Sequence, residues 1–408
     1  MRLIYFCRAD IQTSPTLMPR VIHCIIHDLL PEHRLHKIVS AMAEICEVEV
    51  VSVLSPVASR SLPQRPYRIK RFWIPVGRGP FFFLLGNLWF FIYLLLKKNW
   101  DAVVANDLAA LPGTWLASVL RRKALLLDSR ELFTQTPFVV HRPFRRRLWE
   151  MLERFLYARV DYIITVSPPI ARYFEQKYKK PVWLVYNLPP KSEGFACPRL
   201  EDRLLLYQGM LHPCRGLEEL ILALSYAEGW RLWIVGDGPT RASLEKLVAQ
   251  HALEERVRFL GMVPFESLKE YTCQATFGIS GELPRGLNHE YALPNKVFDY
   301  VQAGIPVIVG EAPLIRKVVE HYGCGYVVER WTPREIAKAL NALACQQELY
   351  ERLVEGARKA ARELYWERQI PCIRAWLVAA LEGRPLPPQE AEEKCREVVE
   401  ITKIFEGV

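Results

Sequence analysis

The sequence predicts an α/β fold of two doubly wound parallel-sheet domains, and three observations carry that prediction. Apolar runs of strand length alternate with helix-period segments along most of the chain. A proline-rich loop interrupts the alternation near the middle, after which it restarts. A chain of 408 residues, 50% of them hydrophobic, is long enough to fill two ordinary cores, which excludes disorder as a class.

Strand candidates in the first half lie at 21–26, 48–53, 102–105, 124–127, 162–166 and 182–185. The loop LPPKSEGFACPRLED, 188–202, brings three prolines and mixed charge, and it divides a first domain, 1–190, from a second, 191–382. Strands resume at 204–207, 231–235, 257–260, 276–279, 306–309 and 325–328. A helical segment at 365–381 closes the second domain, with a crossing back to the first domain as the alternative. Residues 383–388 read as a linker and 389–405 as a charged amphipathic terminal helix, together forming a tail, 383–408. Open parallel sheets bind ligands beyond the carboxyl ends of their strands, so the residues just after each strand, facing a cleft between the domains, are the expected site.

Several function classes fall away on composition. The longest apolar run, FFFLLGNLWFFIYLLL at 81–96, has 16 residues and contains Gly86 and Asn87. A span needs roughly 20, so the expectation is a helix buried against a sheet, with a membrane-dipping helix as the alternative. The start has Asp10 and no apolar stretch of signal-peptide length, so export is not expected, and Met18 is a candidate initiator ahead of the first strand. The ten cysteines form no CxxC pair and lie beside no histidine cluster at metal-ligand spacing. They read as reduced thiols of a cytoplasmic protein with no metal.

Charge is uneven: residues 1–190 hold 27 Lys/Arg against 14 Asp/Glu, the remainder 27 against 31. The densest basic cluster is Arg142, Arg145, Arg146 and Arg147. Solvated surface is the plain reading of one such cluster, but the asymmetry suits an anionic acceptor or an anionic lipid surface, hence peripheral attachment at the inner membrane face. No nucleic-acid-binding motif accompanies the charge, so nucleic acid is not an expected partner.

The chemistry concentrates in 288–309, NHEYALPNKVFDYVQAGIPVIV. Pro294 suits a first helical position and Gly304 a helix stop, which puts Lys296 in the first turn. A cation there opposes the helix dipole, so an anion such as phosphate is expected between the amides and the ammonium. Asp299 shares the face of Asn295 and Lys296, and an acid for hydroxyls beside a cation for phosphate describes a nucleotide-sugar site. A solvated Lys/Asp pair is the plain alternative. The segment 206–224 repeats the logic: strand, Gly209 in the loop, then Arg215 and Gly216 opening a helix, the alternative being a pair with Glu218 or Glu219. WIVGDGP, 233–239, ends a strand in Gly236 and Gly238, and the lack of a third glycine argues against a nicotinamide enzyme. FLGMVP, 259–264, suits a backbone collar around a base or a plain turn.

Together these segments resemble retaining glycosyltransferase family 4 (group 1), the LPNK-motif subgroup of the GT-B fold. The order YxG…RG, VGDGP, FLG and LPNKVFDYVQAGIPVIV carries the likeness, with LLLDSRELF at 125–133 and DYIITVSPPIARYF at 161–174 matching more loosely. The resemblance implies two Rossmann-like domains facing across a cleft, a nucleoside-diphosphate sugar as substrate, a glycan or lipid-linked acceptor, and no metal or other cofactor. It implies that Arg215 and Lys296 bind the donor diphosphate and Asp299 the ribose. Where most members carry the first of two spaced glutamates this chain has Tyr291, with Glu290 and Glu282 nearby. Gly209 is followed by Met210 rather than arginine. Where similar members read DSHELF, the histidine is Arg130, which stays charged and cannot shuttle a proton but can stabilise a leaving phosphate.

Glu131 beside Arg130 and Asp107 after the strand at 102–105 are the remaining candidates at the reaction centre and the acceptor side, the alternatives being an ion pair and a helix cap. The expectation is a retaining glycosyltransferase of surface polysaccharide or glycolipid synthesis, with a catalytically impaired nucleotide-sugar-binding protein as the second reading.

Overall fold

Strands rich in valine and leucine and joined by helices are covered on both faces, and they pair in parallel. The computed structural model describes residues 18–407 except 28, 30, 31, 57–63, 78, 137, 138, 140, 141, 197, 198, 285 and 385–387. The candidate initiator's preceding segment, 1–17, lies outside the described residues, as do Cys7 and Cys197. The chain divides into two compact units: residues up to Val185 together with Gln369–Val399, and Tyr186–Arg368 together with the residues from Glu400 on.

The first unit is built on β1 (Arg20–Ile25), β2 (Glu47–Leu54), β3 (Arg68–Trp73), β4 (Ala102–Asn106), β5 (Ala124–Asp128), β6 (Tyr162–Thr165) and β7 (Val182–Leu184). They form one parallel sheet in the order β3-β2-β1-β4-β5-β6-β7, with Val21 of β1 facing Val48 and Ala102. Strands β4, β5 and β6 are buried throughout. The sequence did not announce β3, RIKRFW: it is an edge strand whose alternate cations remove the apolar signal and blunt the open edge.

Helices α1 (His33–Met42), α2 (Pro80–Leu96), α3 (Asp107–Arg121), α4 (Pro143–Tyr157) and α5 (Pro168–Tyr178) follow the strands. The apolar run does form a helix, α2, but it is not buried as expected: only the stripe Phe82, Gly86, Phe90 and Leu94 is covered. Gly86 lets that stripe approach the sheet, since a Cβ there would lie 3.1 Å from Ile26 Cδ1 and 3.4 Å from Val53 Cγ1. Asn87 then locks α2 to α3, donating to Ala109 O at 2.8 Å and accepting from Gly113 N at 2.8 Å. The remaining face of α2 stays in solvent because no further layer packs on it among the described residues. No helix among the described residues is long and apolar enough to cross a membrane.

The second unit contains β8 (Leu204–Gln208), β9 (Arg231–Val235), β10 (Val257–Gly261), β11 (Phe277–Ser280), β12 (Val307–Val309) and β13 (Gly325–Val327), parallel in the order β10-β9-β8-β11-β12-β13. Its helices are α6 (Leu217–Leu224), α7 (Arg241–Gln250), α8 (Phe265–Thr272), the one-turn α9 (Leu287–Glu290), α10 (Asn295–Gln302), α11 (Pro313–Tyr322), α12 (Pro333–Leu343) and α13 (Gln347–Glu363). Tyr207, Leu220, Trp230, Ile234 and Phe277 centre the core. The strand order reverses between β8 and β11, as it does between β1 and β4 in the first sheet, and these are the positions where such sheets open a crevice for ligands.

Helices α14 (Ile370–Glu382) and α15 (Pro388–Lys394) return to the first unit, and α16 (Arg396–Lys403) follows. Trp376 of α14 stacks on Trp183 at 5.3 Å, and Arg374 donates to Ala41 O. The terminal segment is thus two short helices broken at Cys395, not one helix. The expectation of reduced thiols throughout is also corrected: Cys372 and Cys395 are joined in a disulfide, their Cα atoms 4.5 Å apart. Their separation of 23 residues carries no local motif, because packing of the helices, not spacing, brings them together. Cys24, Cys46, Cys214, Cys273, Cys324 and Cys345 are free.

Candidate functional site

In the second unit the predicted residues gather past the carboxyl ends of β8, β9 and β11. Helix α10 begins one residue later than expected, with Pro294 as its cap and Asn295, which is exposed, as its first residue. Lys296 still falls in the first turn, and its side chain is 9% exposed. It does not wait for an anion: Nζ lies 2.6 Å from Glu282 Oε1 and 4.0 Å from the centre of the Tyr207 ring. Arg215, in the loop before α6, reaches the same Glu282 oxygen at 3.4 Å rather than Glu218 or Glu219. Ser280 Oγ donates to the other oxygen. Glu282, not Glu290, therefore joins the two cations; Glu290 sits half-buried in α9. Burial pushes the Glu282 carboxyl up, but Lys296 and Arg215 outweigh it and hold it below its ordinary value.

The glycines make this convergence possible. A Cβ on Gly216 (φ +67°) would lie 2.2 Å from Gly281 O, so the Arg215 loop and the Glu282 loop touch at backbone level. Trp331, which no sequence signal singled out, clamps both: its Nε1 donates to Gly216 O at 2.8 Å, and a Cβ on Gly281 would meet the same ring at 2.3 Å. Gly236 (φ +141°) and Gly238 serve loop packing rather than an open approach, since Cβ atoms there would strike Gly209 O at 2.0 Å and Leu211 O at 2.4 Å. Gly209 faces the site, with Lys296 Cε 3.8 Å from where its Cβ would be.

Asp299 accepts from Gln208 Nε2 at 3.1 Å, and Gln208 is itself fixed by Thr272 at 3.0 Å. The concavity beside this cluster is lined by His212, Cys214, Arg215, Gly216, Thr240 and Leu283. Burial and then Arg215 lower the pKa of His212 from its ordinary value.

In the first unit a second ionic cluster lies past β4 and β5. Arg34 of α1 grips Asp128 with two nitrogens, at 2.8 and 3.2 Å, and donates to Val185 O at 2.6 Å. Arg130 pairs with Glu32 and lies 3.5 Å from Asp128 Oδ2. Its backbone N–H points at Asp107 Oδ1 at 3.4 Å. Glu131, the candidate beside Arg130, is exposed. Asp107 does not cap α3; it opens the helix with φ +66°, a left-handed conformation that is uncommon for aspartate. Burial raises the Asp107 carboxyl although Arg130 opposes the shift. Burial raises and Arg34 and Arg130 lower the Asp128 carboxyl, with a net depression. Burial disfavours charge on Arg130 too, but Asp107, Asp128 and Glu32 more than compensate. Arg130 is thus a pinned cation whose charge is matched locally. His23, buried in β1 without a hydrogen-bond partner among the described residues, is held neutral, its pKa lowered to about 4 mainly by burial. No group of three or more His, Cys, Asp or Glu among the described residues could hold a metal ion.

Residues 197–360 match the family described as glycosyl transferases group 1, and residues 31–186 match the glycosyl transferase 4-like domain. The lipopolysaccharide core biosynthesis glycosyltransferase LpsD of Rhizobium meliloti is 25% identical over 221 residues, covering 52% of this chain and 62% of LpsD. The matched stretches span less than two thirds of the first curated relatives: 62%, 59% and 41% of their lengths. Among solved structures, sucrose-phosphate synthase from Thermosynechococcus elongatus superposes with TM-score 0.69 at 19% identity, over 89% of this chain and 100% of that one. Anabaena HepE in complex with UDP and glucose superposes with TM-score 0.67 at 17% identity, over 89% and 99%. The first unit carries the glycosyl transferase 4-like domain and the second the glycosyl transferases group 1 domain, and the two sheets are those of the GT-B fold.

Proposed function

We propose that this protein is a retaining glycosyltransferase that moves a sugar from a nucleoside-diphosphate donor to a glycan or lipid-linked acceptor in the synthesis of a surface polysaccharide or glycolipid. The observation that carries this reading is the buried carboxylate of Glu282 held by Lys296 and Arg215, two cations delivered from separate loop-to-helix junctions onto one point. A pair of cations built around a single carboxylate suits a dianionic guest better still, because charge-assisted hydrogen bonds to phosphate are the stronger kind. HepE, of the same fold, was solved with UDP and glucose, and LpsD is named for lipopolysaccharide core synthesis; both agree with the proposed donor and acceptor classes.

In the proposed reaction the bond from the sugar's anomeric carbon to the phosphate oxygen breaks, and the acceptor oxygen attaches on the same face. The acceptor's proton passes to the departing phosphate. Lys296 and Arg215 stabilise the charge that grows on the diphosphate, so the protein supplies the cations and no metal is required in this scheme. Asp299 and Gln208 would hold the ribose hydroxyls. Arg130 contributes a fixed cation rather than a proton, with Asp107 and Glu131 on the acceptor side.

Titration calorimetry with UDP, GDP, ADP and dTDP tests the donor assignment. Lys296→Ala and Arg215→Ala are each expected to weaken the bound nucleotide by about 1.5–3 kcal/mol. Unchanged affinity in both variants refutes the assignment. A second reading, a nucleotide-sugar-binding protein without turnover, draws on the local cancellation of the Arg130 charge by Glu32 and Asp128. Slow release of free sugar from a nucleotide donor, abolished by Lys296→Ala, excludes it.

A further inference from the structure

Beside the Arg130 cluster of the first unit lies a small concavity walled by Glu32, Leu35 and His36 on one side and by Arg65, Tyr67 and Ile69 on the other. The sequence builds both walls. Glu32, the cap of α1, stands three and four residues before Leu35 and His36, so the three share one helix face. Arg65, Tyr67 and Ile69 alternate with the exposed Pro66, Arg68 and Lys70, so they turn to one side of the extended run that enters β3. Pro66 disfavours a helical backbone at Arg65 and keeps that run extended. His36 and Tyr67 join the walls, with Nδ1 3.3 Å from the phenol oxygen and the rings 5.7 Å apart.

The unmatched charge in this concavity is Arg65. It is half-buried, and it has neither an ion pair nor a hydrogen bond among the described residues. Glu32, on the opposite wall, is taken by Arg130. His36 adds no charge at pH 7, because burial, then Arg65 and His33, lower its pKa to about 4. Burial raises the Tyr67 phenol and Arg65 opposes the rise, so Tyr67 stays a hydroxyl. The walls thus offer a guanidinium and a phenol with no carboxylate left to match them. An oxyanion satisfies such a guanidinium best, since it accepts two of the N–H groups at once. The free volume is about 10 Å³, room for one water-sized group, so the charged end of a substituent enters and the sugar ring that bears it stays outside.

We propose that this concavity is an acceptor subsite that selects sugars carrying an anionic substituent, a carboxylate or a phosphate, through Arg65 and Tyr67. Glu32 is the shared wall: it borders the concavity and pairs with Arg130, so an acceptor anchored on Arg65 lies one side chain away from the cation assigned to the reaction centre. That the occupant is an acceptor rests on the glycosyltransferase reading above, whereas the selection of an anion rests on Arg65 alone.

Saturation-transfer NMR titration of the full chain with glucuronate, glucose 6-phosphate and glucose tests it. At least one of the charged sugars is expected to bind about tenfold more tightly than glucose, and Arg65→Gln is expected to remove that advantage. Arg65→Lys keeps the charge without the planar fork and should fall between the two. Tyr67→Phe should weaken the charged sugar roughly threefold. Lys296→Ala is expected to keep the preference, which separates this subsite from the donor cations, and Arg65→Gln is expected to bind UDP as the parent does. Circular dichroism of each variant checks that it folds. Preference for glucuronate names a carboxylate as the substituent, and preference for glucose 6-phosphate names a phosphate. Equal binding of all the sugars, no saturable binding of any, or an undiminished preference in Arg65→Gln overturns the proposal. A preference lost in Lys296→Ala and kept in Arg65→Gln assigns the anions to the donor cluster instead. Failure of UDP to bind the parent, with the Arg65-dependent preference intact, removes the donor assignment and leaves this subsite standing.

Discussion

Replacing Glu282 by glutamine should separate the structural and ligand-binding roles of the cluster around Lys296. At 2.6 Å the Lys296–Glu282 pair carries a gross attraction of about 6 kcal/mol at an effective dielectric of about 20. The 3.4 Å contact to Arg215 adds less, because that side chain is 31% exposed and partly screened. Desolvation cancels much of this, yet breaking one side of a buried pair typically costs about 3–5 kcal/mol, since the partner charge is stranded. Glutamine keeps a carbonyl oxygen toward Lys296, so the expected loss is about 2–4 kcal/mol, or roughly 5–12 °C in melting temperature for a unit of this size.

Nucleotide binding should move the other way, because a diphosphate no longer competes with Glu282 for the two cations. The variant is therefore expected to melt lower and to be stabilised by UDP, GDP, ADP or dTDP at least as strongly as the parent. Acidity provides a second signature. The Glu282 carboxyl is depressed, so its stabilisation is complete above the ordinary value of 4.5 and vanishes as pH falls through the lower folded value. The stability gap between parent and variant should shrink below about pH 4.5. Differential scanning calorimetry over a pH series with and without nucleotide measures all three. A stability change below about 0.5 kcal/mol, within the range of ordinary surface substitutions, would refute the buried-pair argument. Loss of nucleotide binding would make Glu282 a ligand contact instead of a competitor.

Asp107→Asn should stabilise the first unit at pH 7. The raised carboxyl means that burying its charged form costs stability above its pKa, and asparagine tolerates φ +66° better than aspartate; a lower melting temperature for the variant contradicts this. Gly113→Ala places a Cβ 2.1 Å from Asn87 O and should cost about 2–3 kcal/mol in urea titration, whereas Gly323→Ala, with nothing within 4 Å and φ +61°, should cost about 1 kcal/mol of backbone strain. Equal costs would undo the claim that α2 and α3 are in backbone contact. Cys395→Ser opens a bond with a sequence separation of 23 and should lower stability by about 3 kcal/mol, an effect that a reducing agent reproduces in the parent and not in the variant. Insensitivity of the parent to reductant shows that the bond does not form.

Most strands were legible because a buried parallel strand is a bounded apolar run, and β4, β5 and β9 read that way directly. β3 was not, since RIKRFW meets neighbours on one side only and spends its alternate positions on cations. Lys296 and Arg215 were legible because a cation at a helix start is locally unfavourable and asks for a reason. What fills the space between them was not: Glu282 stands fourteen residues before Lys296, and only the turn after β11 brings it there. Trp331 was invisible for the same reason, its partners Gly216 and Gly281 lying far away in sequence. In the first unit Arg130 drew attention as an unusual residue after a strand, but its partners Glu32 and Asp128 come from α1's entry and from β5, a pairing that no spacing rule predicts. The exposure of α2 was misjudged because an all-round apolar helix gives no hint of which face lacks a neighbour.

The return of Gln369–Val399 to the first unit sets the order in which the protein can finish folding as it is made. The first sheet is complete once Leu184 has emerged, but the helix whose Trp376 covers Trp183 is synthesised about 190 residues later. At roughly 5–20 residues per second the interval is on the order of 10–40 s. Throughout it, the apolar groups that Ile373, Trp376 and Leu377 will eventually cover stand open on a nascent chain. A fragment ending near the interdomain loop reproduces that state permanently, so such a fragment should be an insoluble, chaperone-dependent species even though its seven strands are all present.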